Sequence, residues 1–142
     1  MGRPNLYIDA NVLIYAVEGD ARHLQQAESI LEIAAMEDGH ALSSELTMAE
    51  CLRGAHRTPN DPALASYRQL FSEQKRIIFV PLNRDILEMS AEVGAATRTK
   101  LADSIHLATA LAHGCTKFVT NDSGIARAPP GLAILPFWDA LK

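Results

Sequence analysis

The chain has 142 residues, 48% of them hydrophobic, with 13 Lys plus Arg, 17 Asp plus Glu and a formal net charge of −4. A chain of this length buries about two-thirds of its unfolded surface in a single core, so one domain over residues 1–142 is expected, without disulfide or structural-metal staples. No apolar run reaches the roughly 18 residues a membrane span needs, Met1-Gly2-Arg3-Pro4-Asn5 lacks a secretory apolar core, and a cytoplasmic protein is expected.

Short β-rich runs alternate with longer helical patterns, as in an α/β domain: a single-domain three-layer sandwich with a mostly parallel sheet flanked by helices. Leu6–Asp9 reads as a strand, followed by a helical pattern over Val12–Val17 and another over Arg22–Glu37 with a stripe of Leu24, Ala27, Leu31 and Ala34. His40–Ser43 is the second strand, and Thr47–His56 the helix after it. Thr58-Pro59-Asn60-Asp61-Pro62 supplies stop and start signals before the helix Pro62–Glu73. A strand at Ile77–Pro81, helices at Arg84–Thr97 and Ala102–Ala112, and a strand at Lys117–Thr120 follow. Ala128-Pro129-Pro130-Gly131 then breaks the pattern before a last strand, Ala133–Pro136. Cys51 and Cys115 have no CxxC or Cys/His spacing, which argues against a zinc or disulfide framework and predicts buried free thiols.

Four acids stand at informative places. Asp9 ends Leu6-Tyr7-Ile8, where a buried strand gives way to a helix, the edge at which open α/β sheets bind ligands; equally, Asp9 or Asn11 caps the next helix. Glu50, in Thr47-Met48-Ala49-Glu50, fits a capping box. Asp103 opens an almost wholly apolar helix, where the helix dipole favours an acid by about 0.3–1 kcal/mol. A buried carboxylate there needs a partner or takes up a proton. Asp122 follows Lys117-Phe118-Val119-Thr120-Asn121, and turn chemistry alone accounts for Asn-Asp-Ser-Gly.

Each acid has an ordinary explanation, but two follow strands and two start helices, which puts all four at one edge of a parallel sheet. Close carboxylates repel by about 1 kcal/mol per pair in water and roughly 4 kcal/mol at a partly buried surface. A hard divalent cation, Mg²⁺ or Mn²⁺, suits such an oxygen-rich set. The net acidity is the wrong sign for general attachment to nucleic acid. Setting these four acids aside for an ion leaves 13 acids against 13 bases, which weakens that objection.

Tyr7-Ile8-Asp9-Ala10-Asn11-Val12-Leu13-Ile14-Tyr15 resembles the opening motif of PIN domains. Thr47-Met48-Ala49-Glu50, Lys100-Leu101-Ala102-Asp103-Ser104-Ile105-His106-Leu107-Ala108-Thr109-Ala110 and Phe118-Val119-Thr120-Asn121-Asp122 follow in the expected order. A small stand-alone chain of this kind is most similar to VapC-type toxins. That resemblance implies an Mg²⁺- or Mn²⁺-dependent endoribonuclease, usually dimeric, neutralised by a VapB-type protein antitoxin. It implies metal-site acids at Asp9, Glu50, Asp103 and Asp122, with Asn11 and Thr120 shaping the site. The expected reaction is hydrolysis of an RNA phosphodiester by in-line attack of water, the ion lowering the water's pKa.

His106 departs from the small or apolar residue more usual at its position, and a lone histidine on an apolar helix is expected to be packed and hydrogen-bonded to structure. Arg53, His56 and Arg57 follow Glu50 and could reach an RNA phosphate, as could Lys100, although solvation or intrahelical pairing explains each. Two alternatives stand beside the ribonuclease. One is a catalytically silent PIN-like binding module. The other is a haloacid-dehalogenase-like phosphatase, disfavoured because Asn11 stands where that motif carries a second Asp.

Overall fold

The computed structural model describes residues 5–121, 124–125 and 127–136. Among them the chain runs β1 (Leu6–Ile8), α1 (Ala10–Glu18), α2 (Ala21–Asp38), β2 (Ala41–Ser44), α3 (Glu45–Arg57), α4 (Asp61–Glu73), β3 (Ile77–Val80), α5 (Arg84–Thr97), α6 (Leu101–Ala112), β4 (Lys117–Thr120) and β5 (Ala133–Pro136). The strands form one five-stranded sheet ordered β3-β2-β1-β4-β5, with every pairing parallel.

Alternation along β1 sends Leu6 and Ile8 to one face of the sheet and Tyr7 to the other. Leu6 and Ile8 join a core with Leu13 of α1, Ile30 and Leu31 of α2, Cys51 of α3 and Tyr67 of α4. Tyr7 joins a second core with Val93 of α5, Leu107 of α6 and Phe118 of β4. Helices α1 to α4 therefore cover one face and α5 with α6 the other, the three layers expected. Both cysteines are buried free thiols, and among the described residues no helix is long and apolar enough to cross a membrane.

Helices α1 to α5 begin where side chains cap them. Asp20 accepts from the His23 amide, Asn60 from Ala63 and Asn83 from Ile86. Helix α3 starts at Glu45, two residues before the predicted Thr47, because Ser44 accepts from the Leu46 amide at 3.0 Å. The capping box expected at Thr47 and Glu50 therefore does not form. Thr47 is inside the helix with its hydroxyl 2.8 Å from that of Ser43. Of the α2 stripe expected to pack on the sheet or on a neighbouring subunit, Ala27, Leu31 and Ala34 are buried together with Ile30, and Leu24 is 40% exposed in the single chain. Between α1 and α2 only glycine fits, since a β-carbon at Gly19 would stand 2.5 Å from the Tyr15 carbonyl oxygen.

This topology decides where a site can lie. From β1 the chain crosses through α1 and α2 to β2 on one side, whereas β4 leads to β5 on the other. The connections part at the carboxyl ends of β1 and β4, which opens a crevice there.

Candidate active site

Asp9 is the first residue beyond β1. Its amide still donates to the Val119 carbonyl at 3.0 Å, which ties it to β4, and its carboxylate caps α1 by accepting from the Ala10 amide at 2.8 Å. The capping role is therefore present, and it does not exhaust the side chain. Oδ2 accepts from the Thr120 hydroxyl at 2.8 Å and from the Asn11 carboxamide at 3.4 Å. Asn11 also donates to Thr120 Oγ1 at 3.2 Å and accepts from the Asn121 amide at 3.1 Å, so the two strand ends are stitched together across the crevice. Asp9 is 5% exposed. Burial pushes its carboxyl pKa up; the charge of His106 and the Thr120 and Ala10 hydrogen bonds pull it down, Glu50 pushes again, and the net shift is upward. The protein around it thus supplies less compensation than a carboxylate in this place requires.

His106 of α6 lies opposite and is fully buried. Its Nε2 is 2.5 Å from Glu50 Oε1 and 3.7 Å from Asp9 Oδ1, and its Nδ1 is 2.6 Å from the Tyr7 hydroxyl oxygen. Burial works against a charged imidazole, but the Glu50 hydrogen bond and the charges of Asp9, Glu50 and Asp103 outweigh it, and the pKa is raised. Burial and the charge of Asp9 likewise raise the Tyr7 phenol well above its ordinary value, although a Ser43 hydrogen bond opposes them, so Tyr7 remains a neutral hydroxyl.

Acids from the end of β1 and from α3 therefore meet at one imidazole, and Asp103 is one turn before it on α6. Glu50 is at mid-helix, free of the capping role expected for it, with its side chain 36% exposed. Asp103 sits in the first turn of α6, where Lys100 is the N-cap and makes no side-chain cap bond. The expectation that His106 is packed and hydrogen-bonded holds, but its partners are Glu50 and Tyr7, which makes it part of the acid cluster. The i,i+3 spacing of Asp103 and His106 was the available signal, since it places both on one side of a helix.

Asn11 and Thr120 touch Asp9 as expected of site-shaping residues. Arg53 and Lys100 are exposed, and among the described residues no hydrogen bond or ion pair joins either to these acids. Asp122 lies outside the described residues.

The donor set can be tested against a divalent ion. Carboxylate, hydroxyl and carboxamide oxygens are the hard donors that Mg²⁺ and Mn²⁺ take, and Asp9, Thr120 and Asn11 bring all three kinds together at the ends of β1 and β4. In kind the residues fit. Among the described residues no group of three or more Asp, Glu, His or Cys side chains stands in metal-holding arrangement, and Glu50 turns its Oε1 to His106.

A parallel α/β sheet ordered 3-2-1-4-5 with acids gathered at its switch point defines the class of this molecule. The PIN domain family model matches residues 6–129, and the chain belongs to that family. That membership removes the ground for the dehalogenase-like alternative. Similar solved structures include VapBC2 from Rickettsia felis bound to a DNA fragment from the promoter, at 17% identity and a TM-score of 0.72, covering 92% of this chain and 97% of that one. A toxin–antitoxin complex from Klebsiella pneumoniae is 23% identical with a TM-score of 0.66, covering 90% of this chain and 94% of that one. At these identities the likeness is one of fold. No curated protein matches by sequence.

Proposed function

We propose that this protein is a metal-dependent endoribonuclease, the toxin of a type II toxin–antitoxin pair of VapC type. One observation carries the reading: Asp9 and Glu50, remote in sequence, meet at the same buried imidazole of His106 at the switch point of a PIN fold, with Asp103 in the first turn of the helix that carries it. Like charges so gathered cost free energy, and function is the usual reason such an arrangement persists.

Asp9 and Asp103 would hold the ion, Glu50 would bind it or orient water, and Asp122, two residues beyond Thr120, would complete the set. Mg²⁺ or Mn²⁺, when bound, supplies Lewis acidity toward water and the phosphoryl oxygens. Thr120 and Asn11 keep Asp9 Oδ2 in one orientation through hydrogen bonds across the β1–β4 crevice. Arg53 and Lys100 are exposed cations that would hold RNA phosphates beside the site.

The solved relatives are toxin–antitoxin complexes, which supports a VapB-like protein antitoxin as partner, and a chain of pI near 5.7 suits neutralisation by basic segments. A homodimer in the cytoplasm completes the reading. The test is cleavage of a structured single-stranded RNA with Mg²⁺ or Mn²⁺ and with chelator. Internal cuts that require the ion and vanish in Asp9→Asn are expected, and metal-independent cleavage or none at all would refute the proposal.

The hydrogen bond from His106 to Glu50 favours a second reading, a catalytically silent binding module in which an imidazole takes the place of a cation. Antitoxin binding without metal-dependent cleavage would establish it.

A further inference from the structure

The contact between α3 and α6 at the crevice assigns a role to a residue outside the family-like acid set. We propose that His106 is a positioning residue that holds Glu50 in place through a hydrogen bond donated from Nε2, and that Tyr7 anchors His106 for this purpose; the functional consequence rests on the nuclease reading.

A glutamate on a helix surface has three side-chain torsions and samples many rotamers when nothing holds it. Glu50 is such a residue, with a side chain 36% exposed, and its Oε1 is 2.5 Å from His106 Nε2. His106 has no such freedom. It is fully buried, its Nδ1 is 2.6 Å from the Tyr7 hydroxyl, and its ring meets that of Tyr7 edge to face at 5.8 Å. Tyr7 is in turn stacked on Phe118 at 5.0 Å, so the sheet core fixes the imidazole. A flexible acid is thereby tied to a rigid frame.

The direction of the bond does not depend on the charge of the ring. A carboxylate only accepts, so Nε2 carries the proton toward Glu50. At Nδ1, a neutral ring accepts from the Tyr7 hydroxyl, and a charged ring donates to the same oxygen. Either way Tyr7 fixes the ring orientation. Two consequences follow. Glu50 Oε1 is committed to His106, which leaves Oε2 for contact with an ion, water or substrate. Glu50 is also held beside Asp9, whose Oδ1 is 3.7 Å from the same Nε2.

Two measurements test the assignment. In ¹⁵N-imidazole NMR of the metal-free protein, Nε2 of His106 is protonated, with its proton downfield of a water-exposed imidazole N–H. Glu50→Gln moves that proton upfield. An unprotonated Nε2, or a proton indifferent to Glu50→Gln, would overturn the proposal. In calorimetric Mn²⁺ titrations, His106→Leu weakens binding by about 10–100-fold, the usual cost of losing a group that orients a ligand. His106→Gln, which returns an N–H near the Nε2 position, restores most of the affinity. In a Glu50→Ala background His106→Leu has little further effect, and an undiminished loss there would mean that His106 does not act through Glu50. Should His106→Leu fail to fold, the resonance and the Gln variant decide. Failure of the wild type to bind Mn²⁺ would sink the nuclease reading, and the resonance would still decide whether His106 holds Glu50.

Discussion

Asp9 is the side chain on which both the fold and the proposed chemistry turn, because one carboxylate caps α1, joins β1 to β4 through Thr120 and lies within the field of Glu50. Its pKa is raised, chiefly by burial, so the folded state holds that proton more tightly than the unfolded chain does. From the ordinary value of 3.8 upward, rising pH therefore withdraws stability until the folded-state group has titrated. Asn at this position keeps a carbonyl oxygen for the Ala10 amide and carries no charge. In chelator, Asp9→Asn should melt at or above the wild-type temperature near neutral pH, with the margin growing as pH rises from mildly acidic values. Thermal melts over a pH series check this, and a variant that melts progressively lower as pH rises would contradict it. In the same variant, metal-stimulated RNA cleavage should fall by at least about 100-fold, because a ligand that would hold the water-activating ion is lost.

At the scale of elements, two substitutions separate the caps and contacts found from those that sequence pattern predicts. Ser44→Ala removes the bond to the Leu46 amide and should cost about 0.5–2 kcal/mol in urea unfolding. Thr47 and Glu50 make no cap of their own, so Glu50→Gln should lack a comparable capping penalty. Gly94 is inside α5, where Ala ordinarily adds up to about 1 kcal/mol of helix stability. Here a β-carbon would stand 2.5 Å from Ser104 Oγ, whose bonds to Thr99 and to the Lys100 carbonyl hold the start of α6. Gly94→Ala should therefore destabilise by about 1–3 kcal/mol, with part regained in Gly94→Ala/Ser104→Ala. A stabilised Gly94→Ala would show that α5 and α6 are less closely joined.

The same elements explain what could be read beforehand. Strand and helix order followed from apolar period, since Leu6–Ile8 and Ile77–Val80 are short buried runs and α4 and α5 are periodic and capped by Asn. Asp9 was legible because it ends a strand. Glu50 was legible as a candidate site acid, and the competing capping explanation failed because Ser44, three residues before Thr47, caps the helix instead. The spacing of His106 one turn after Asp103 hinted at the site, but its partners Glu50 and Tyr7 are 56 and 99 residues away, and no local pattern names such contacts.

For the whole molecule, the switch point of a parallel sheet supplies the crevice, and helices from both layers bring acids to it. The proposed dimer and antitoxin complex belong to this scale. Light scattering of the purified chain should give twice its 15.4 kDa mass, and a monomer at micromolar concentration would contradict the dimer. The claim beneath all of this is that Asp9, Glu50 and Asp103 act together on one divalent ion. Calorimetric titration of Mn²⁺ into wild type, Asp9→Asn and Asp103→Asn at one pH tests it most directly. Saturable binding by the wild type, abolished in the first variant and strongly weakened in the second, is predicted. Equal binding by all three folded proteins, or none by the wild type, would contradict it.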